Sequence, residues 1–285
     1  MGEGSNVIFG MHPVAFWIAA GIAAALALTP LIFLALKVSP ELSADLWTRY
    51  KSWLVLAPLM VVPLLAGRLP AILGVAVLGA LCYREFARVI GLFRHRAVSA
   101  TVALGFVLIT YSIAIRWYGF FNALTSLVVC AIVIVALFAD DPKGYIKRVA
   151  LGIFCFLLFG VCLGHFSYLA NDKLGAPIQL AILLCVEMND IFAYCTGKAF
   201  GRRKLCPQTS PKKTIGGALG ALVLTSALFA TLMHCIFAGG VMDRPAHLIA
   251  LGVLLSLTGQ CGDLVIIGRF QHRRYFFFFS ASRIT

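Results

Sequence analysis

The chain has 285 residues, of which 61% are hydrophobic and 12% are charged, and its formal net charge is +13. Soluble globular domains carry about 25% charged residues, so the composition excludes a soluble protein. Apolar stretches long enough to cross a bilayer, about 20 residues each, recur along the whole sequence. We therefore predict an all-α polytopic membrane protein.

The apolar stretches predict nine transmembrane helices, with the N-terminus outside and the C-terminus in the cytoplasm. In chain order the predicted spans are 14–36, 53–66, 69–83, 98–115, 121–139, 149–169, 176–197, 214–238 and 246–267. The second and third spans are short, and only residues around Gly67, Arg68 and Pro70 separate them.

The distribution of cations supports this topology, because cytoplasmic segments of membrane proteins carry an excess of Lys and Arg. Twenty of the 24 lie on the predicted inner side, in residues 37–51, 84–96, 140–148 and 198–213 and in the tail from Arg269. The four predicted outer loops hold one cation each: Arg68, Arg116, Lys173 and Arg244. The net charge therefore reflects topology and contact with anionic lipid headgroups, and we expect no nucleic-acid binding.

The nine cysteines show no metal-ligand spacing such as C-x-x-C, and most of them lie within predicted spans. Cysteine in such a position behaves as a small apolar residue. We therefore expect no disulfide framework.

Only three of the eleven acidic residues fall within predicted spans: Glu187, Asp190 and Asp263. An ionised side chain at the centre of a bilayer costs about 2.5–3.5 kcal/mol on insertion scales, so such residues face a polar cavity and usually serve a function. On a helix, Glu187 and Asp190 share one face with Tyr194 and Gly197. The alternative is structural. In that case Asp190 or Asp263 pairs with a cation such as Arg202 or Lys213, and Glu187 is an interfacial carboxyl.

The loop that follows Asp190, "GKAFGRRKLCPQTSPKKT" (197–214), is strongly basic. It carries Lys198, Arg202, Arg203, Lys204, Lys212 and Lys213. Ser210-Pro211 is a helix-start signal, and lysines beside a helix N-terminus, with the hydroxyls of Ser210 and Thr214, form a phosphate-binding arrangement. Carboxylates facing such a loop suggest Mg²⁺ held by aspartates and phosphates held by Mg²⁺ and lysines. The alternative is a charge run that only determines topology.

The segment "NDIFAYCTGKAFGRRKLCPQTSPKKT" (189–214) resembles the core of the phosphatidate cytidylyltransferases, also called CDP-diacylglycerol synthases. Members carry, in order, Asp-x-x-Ala-Tyr, Gly-x-x-Phe-Gly, Lys-Leu and Ser-Pro-x-Lys-Thr. They carry Gly-Asp-Leu further on, as in residues 262–264 here. The resemblance covers roughly residues 50 to 265, and several ordered motifs at matching spacing make it specific.

The resemblance implies an enzyme of phospholipid synthesis that transfers a cytidylyl group from CTP to phosphatidate, giving CDP-diacylglycerol and pyrophosphate, with Mg²⁺ as cofactor. It implies catalytic roles for Asp190, Asp263 and Lys213. Metal ligands would be Asp190 and Asp263, with Glu187 as a third candidate. The implied nucleotide- or phosphate-binding residues are Ser210, Lys212, Lys213, Thr214, Arg202 and Lys204.

The implied organisation is a single membrane-embedded domain over residues 1–285. It would contain N-terminal helices in 15–120, a cytidylyltransferase-like core in 121–268 and an atypical tail in 269–285. The expected location is the cell (plasma or inner) membrane, with the active site facing the cytoplasm. The expected partners are CTP, phosphatidate and membrane lipids, and a homodimer is compatible with the sequence.

The sequence departs from the family pattern at one position and in its C-terminal segment. Members commonly have Glu two residues after the threonine of Ser-Pro-x-Lys-Thr, where this chain has Gly216. Members continue past Gly-Asp-Leu with Lys-Arg, Lys-Asp, Gly-Gly and Leu-Asp-Arg-x-Asp, whereas this chain reads "VIIGRFQHRRYFFFFSASRIT" (265–285). A truncation or frame shift near Ile267 is one hypothesis and a divergent natural ending the other. Because no acidic residue follows Asp263, we expect weak CTP binding and poor turnover or none.

Three other functions compete with this interpretation. A CTP-dependent lipid-alcohol kinase would use similar parts with an uncharged acceptor. A catalytically impaired relative is a second alternative. A transporter would also bury carboxylates, but it would be expected to show inverted repeats, and none is visible in the sequence.

Overall fold

The structure is a computed structural model and describes residues 12–35, 40–138, 144–208 and 210–270. Its α-helices are α1 (Pro13–Ala35), α2 (Pro40–Leu65), α3 (Arg68–Ile90), α4 (Arg96–Ala114), α5 (Tyr118–Leu137), α6 (Tyr145–Cys155), α7 (Leu163–Tyr168), α8 (Gly175–Phe200), α9 (Ile215–Phe237) and α10 (Pro245–Phe270). Two short strands, β1 (Lys204–Cys206) and β2 (Ser210–Thr214), lie between α8 and α9. Most of the predicted tail, from residue 271 onward, lies outside the described residues.

Eight helical stretches in the described part of the chain are long and apolar enough to cross a membrane. They are α1, α3, α4, α5, the stretch Tyr145–Asn171 that contains α6 and α7, α8, α9 and α10. The predicted span 53–66 lies in α2, whose apolar part Tyr50–Leu65 is shorter. The prediction of a helical polytopic membrane protein is therefore confirmed, while the count of nine spans and the orientation of the termini stay predictions.

The described residues divide into two compact units, one from Pro58 to Ala176 and the other formed by the residues up to Ala57 with those from Pro177 onward. The predicted subdivision into N-terminal helices in 15–120 and a core in 121–268 stays a prediction, as does the single membrane-embedded domain. All predicted site residues belong to the unit that contains the residues from Pro177 onward.

In the unit from Pro58 to Ala176, glycines let aromatic side chains fill the space between helices. A Cβ atom at Gly105 would lie 2.8 Å from both Phe156 and Val128. Phe156, which is fully buried, begins a π-helical segment (Phe156–Cys162) between α6 and α7. Wider helical turns of this kind accompany local distortions of helix packing.

The other unit contains a close pair of helices, α9 and α10. A Cβ atom at Gly252 of α10 would lie 2.8 Å from the Ser226 Cα atom of α9, so the two backbones approach directly. At the end of α9, His234 Nδ1 donates to Asp243 Oδ1 in the following turn at 2.6 Å, and the Gly239 N–H donates to Asp243 Oδ2. The hydrogen bond from His234 is the main cause that holds the pKa of the Asp243 carboxyl below its ordinary value, and the bond from Gly239 acts in the same direction.

Candidate active site

Two of the three predicted carboxylates lie on α8, which is helical from Gly175 to Phe200. Glu187 and Asp190 are three residues apart, so they share one face of this helix, and the same face continues with Tyr194 and Gly197. Both carboxylates are half-buried, and they interact electrostatically with each other. The helix therefore brings these two predicted residues together.

Asp263, the third predicted carboxylate, lies on α10 and forms an ion pair with Lys213 of β2. The side chains of Asp263 and Lys213 are 29% and 22% exposed, so both stay accessible to a ligand. Asp190 interacts electrostatically with both of them. Two carboxylates and one ammonium group, from α8, α10 and β2, therefore converge.

The basic loop after α8 folds as a β-hairpin, which the sequence analysis did not predict. β1 pairs antiparallel with β2, with Lys204 opposite Thr214 and Cys206 opposite Ser210, and the register shifts between these two pairs. The Arg203 carbonyl accepts a hydrogen bond from the Ile215 N–H at 2.9 Å, which closes the hairpin against the start of α9. The hairpin thus places Lys213 immediately before α9.

Ser210-Pro211 does not itself begin a helix, because α9 begins at Ile215, within one residue of the start of the predicted span 214–238. A residue that precedes proline is disfavoured in the helical region, so Ser210 favours the extended conformation it adopts. Thr214 is the N-cap instead, and its hydroxyl accepts a hydrogen bond from the Gly217 N–H at 3.1 Å. Threonine is a favoured N-cap residue for this reason.

The structure brings only part of the predicted basic set to the carboxylates. Ser210 is buried, whereas the side chains of Arg202 and Lys204 are exposed on the hairpin. The side chain of Lys212 lies outside the described part of the chain. Among the described cations of the loop, Lys213 alone forms an ion pair with an acidic residue.

Glycines and a small hydroxyl side chain hold α8 and α9 close together beside these residues. A Cβ atom at Gly220 would run into the Thr196 side chain, and one at Gly217 would lie 2.6 Å from the Ala193 carbonyl oxygen. Gly216 faces the backbone of Phe200. The G-x-x-x-G formed by Gly216 and Gly220 therefore lies against α8, as the packing of transmembrane helices through small residues requires.

A buried polar cluster next to Asp190 was missed by the sequence analysis. Asn189 Oδ1 accepts hydrogen bonds from Thr225 Oγ1 at 3.0 Å and from Ser256 Oγ at 2.7 Å. Gln260 Nε2 donates to Ser256 Oγ at 3.2 Å. The prediction of a site within the spans rested on acidic residues. Uncharged polar residues at interior positions of α8, α9 and α10 were the signal that could have found this cluster.

The donor set is compatible with Mg²⁺, although it is small. Within the described residues, no group of three or more His, Cys, Asp or Glu could hold a metal ion. Mg²⁺ in phosphate-transfer sites is usually held by one or two carboxylates together with substrate phosphates and waters. The neighbouring Asp190 and Asp263 fit that requirement, and the three-carboxylate site that includes Glu187 stays a prediction.

Comparison with known proteins identifies similar chains. Residues 47–267 match the model of the cytidylyltransferase family. The phosphatidate cytidylyltransferase of Chlamydia pneumoniae is 31% identical over 209 residues, which cover 67% of this chain and 67% of that protein. The phosphatidate cytidylyltransferase of Bacillus subtilis (strain 168) is 26% identical over 215 residues, covering 70% of this chain and 75% of that protein.

A third relative is similar over a shorter region. The uncharacterised protein YnbB of Escherichia coli (strain K12) is 31% identical over 134 residues, which cover 44% of this chain and 43% of that protein. The chain therefore spans less than half the length of this relative. No solved structure matches the chain.

Proposed function

The chain belongs to the cytidylyltransferase family, and on that premise we propose that it transfers a cytidylyl group from CTP to phosphatidate. The products are CDP-diacylglycerol and pyrophosphate, as the resemblance of the 189–214 segment implies. The observation that carries the proposal is the convergence of Asp190, Asp263 and Lys213 within the matched residues. A site with both signs of charge suits a reaction that joins two phosphate compounds.

In the proposed reaction, a phosphate oxygen of phosphatidate attacks the α-phosphorus of CTP. A new P–O–P bond forms, the bond from the α-phosphorus to the oxygen bridging it to the β-phosphorus breaks, and that oxygen leaves with pyrophosphate. Phosphatidate already carries an anionic oxygen, so the reaction needs no general base. The protein contributes mainly positioning and neutralisation of charge.

Lys213 has the role of a phosphate-binding cation in this proposal. It immediately precedes Thr214, the N-cap of α9, so its ammonium charge adds to the positive end of the helix dipole. The exposed Arg202 and Lys204 on the same hairpin provide further positive charge for the triphosphate. Ser210, Thr214 and Lys212 complete the proposed nucleotide-binding set.

Asp190 and Asp263 would hold Mg²⁺, with Glu187 as the third proposed ligand. When bound, Mg²⁺ neutralises phosphate charge and makes the α-phosphorus easier to attack. Asp263 also orients the Lys213 ammonium through their ion pair. Asp190, which interacts with both groups, adds a second carboxylate to this part of the site.

We further propose that the site faces the cytoplasm, because the hairpin lies within the segment 198–213 that carries six of the 24 cations. Cytoplasmic loops carry such an excess. CTP is a cytoplasmic solute, so this orientation lets a soluble nucleotide meet a lipid substrate at the membrane surface.

The test is an assay of the purified protein in mixed micelles with CTP, Mg²⁺ and either phosphatidate or a polyprenol. The proposal expects CDP-diacylglycerol and pyrophosphate in equal amounts with phosphatidate, and no product with the polyprenol. Phosphorylated polyprenol with release of CDP would instead identify a lipid-alcohol kinase. Absence of product with both acceptors, from protein that unfolds cooperatively, would contradict the proposal.

A further inference from the structure

A chain of buried hydrogen bonds connects three helices at the level of the candidate site. Asn189 of α8 is 2% exposed, and both hydroxyls that donate to its Oδ1 atom, Thr225 of α9 and Ser256 of α10, belong to fully buried residues. Gln260 of α10 extends the chain, donating to Ser256 Oγ at 3.2 Å and to the Ala218 carbonyl of α9 at 3.1 Å.

Each hydrogen bond in this chain has a defined direction. An amide oxygen has two lone pairs, and the Asn189 oxygen accepts one hydrogen bond from each of the two neighbouring helices. The Gln260 amide has two N–H groups, and both are used. These hydrogen bonds therefore fix the relative rotation and height of α8, α9 and α10. Apolar side chains in a bilayer specify these two quantities less sharply.

The residues joined by these hydrogen bonds lie directly beside the proposed metal ligands. Asn189 precedes Asp190 on α8, and Ser256, Gln260 and Asp263 follow one another at intervals of four and three residues, which is one face of α10. Ala218 lies in the first turns of α9, five residues after Lys213. The hydrogen bonds thus join α8 and α10, which carry Asp190 and Asp263, to α9, which begins just after Lys213.

We propose that Asn189, with Thr225, Ser256 and Gln260, forms a positioning network that sets Asp190 relative to Asp263 and Lys213. The inference rests on the proposed function and assigns these residues no contact with substrate. Their effect on the reaction comes from the placement of the carboxylates, and misplacement by about 1 Å can cost roughly a hundredfold in rate.

The test compares two substitutions at Thr225. Thr225→Val keeps the shape but removes the hydroxyl, so Asn189 Oδ1 loses its hydrogen bond from α9. Thr225→Ser keeps the hydroxyl and removes a buried methyl group, which leaves a small cavity. Thr231→Val is the matched control on the same helix, because Thr231 is exposed and its hydroxyl donates to the Ala227 carbonyl one turn earlier.

We expect Thr225→Val to lower kcat for cytidylyl transfer by about ten- to a hundredfold, with a smaller change in KM for CTP, since positioning acts on the reacting geometry. Thr225→Ser and Thr231→Val should keep kcat within about threefold of wild type. A packing role alone predicts the reverse order, because Thr225→Ser creates the cavity. If activity follows that reverse order, the inference is overturned.

A second measurement does not depend on activity. Amide hydrogen exchange over residues 186–194 should be faster in Thr225→Val than in wild type, and unchanged in Thr225→Ser and Thr231→Val. Equal exchange in all four proteins would overturn the network, whatever the assay shows. A wild-type protein without cytidylyl transfer but with this exchange pattern would refute the proposed function and leave the network in place.

Discussion

At the scale of single residues, the ion pair between Asp263 and Lys213 has two possible roles. It is the structural pair that the sequence left open as an alternative, and it also joins a proposed metal ligand to a proposed phosphate-binding cation. Both side chains stay partly exposed, and Asp190 adds a second carboxylate that a simple ion pair does not require. The additional carboxylate favours a site that receives a cation.

The substitution Asp190→Asn tests the proposed metal role. It is nearly isosteric, so the helix should stay folded while one ligand charge is lost. At a concentration of 100 Kd, Mg·CTP should stabilise the wild-type protein by about 2.7 kcal/mol, and this protection should vanish in the variant. The measurement is the thermal midpoint with and without Mg·CTP.

The control for this experiment is Glu85→Gln, which removes a carboxylate from the exposed Glu85–Arg88 pair on α3. It should leave the protection by Mg·CTP unchanged. If Asp190→Asn is protected as well as wild type, the metal role is wrong and a structural ion pair explains the residue better.

Exchanging the partners of the ion pair separates its two roles. The double variant Lys213→Asp, Asp263→Lys keeps an attractive pair, so its thermal midpoint should stay near that of wild type. Its cytidylyl transfer should fall by at least about a hundredfold, or about 2.7 kcal/mol of transition-state stabilisation, because each charge now occupies the wrong position for its ligand. Exchanging Glu85 and Arg88 is the control and should change neither quantity. Wild-type turnover in the exchanged site would show that the pair is only structural.

At the scale of secondary-structure elements, the sequence analysis identified α8 and its acidic face but missed the hairpin. Apolar length and the three-residue spacing of Glu187 and Asp190 are properties of one segment, so they could be predicted. The hairpin depends on pairing between Lys204–Cys206 and Ser210–Thr214, and neither strand alternates apolar and polar residues over a recognisable length. The Asn189 cluster was missed because its hydrogen-bond partners are 36 and 67 positions away in the sequence.

The packing of α8 against α9 can be tested with Gly220→Ala. The added methyl group would meet the side chain of Thr196, whose hydroxyl donates to the Phe192 carbonyl at 2.6 Å and to the Gly217 carbonyl at 3.2 Å. We expect a loss of about 1–3 kcal/mol in stability, the usual cost of overpacking. The measurement is thermal unfolding of the purified protein in detergent.

Gly21→Ala on α1 is the matched control, because no described atom outside the local helix lies within 4 Å of the position that the new Cβ would occupy. It should preserve or slightly raise stability, since Ala is the better helix former. Equal stability of Gly220→Ala and wild type would contradict the close approach of the two helices.

At the scale of the whole molecule, the distribution of cations carries the topology. Residues 198–213 hold six Lys and Arg, whereas the turn after α9 holds one, Arg244. The 23 residues of α9 extend about 34 Å, more than the roughly 30 Å of a bilayer's hydrocarbon core, so we expect its two ends on opposite sides of the membrane. Overall helicity and family were accessible from composition and motifs. Span counting was harder at α2, which contains Pro58 and Pro63 and carries charged residues in its first half.

Labelling of single cysteines tests the orientation. In a background without the nine native cysteines, Gln208→Cys and Met242→Cys introduce thiols at exposed positions beyond the two ends of α9. A membrane-impermeant maleimide should label the Met242→Cys protein in intact cells and the Gln208→Cys protein only after the membrane is opened. Labelling of Gln208→Cys in intact cells would reverse the topology.

We propose that this chain moves the α-phosphorus of CTP onto phosphatidate, so the fate of that atom distinguishes the proposed reaction from its alternatives. Purified wild-type protein is incubated with phosphatidate, Mg²⁺ and CTP labelled at either the α- or the γ-phosphorus, beside Asp190→Asn as the inactive control. The account predicts that the α-label enters the lipid fraction as CDP-diacylglycerol, that the γ-label is released as pyrophosphate, and that Asp190→Asn does neither. Recovery of the γ-label in lipid, or of no label in lipid from folded wild-type protein, would contradict it.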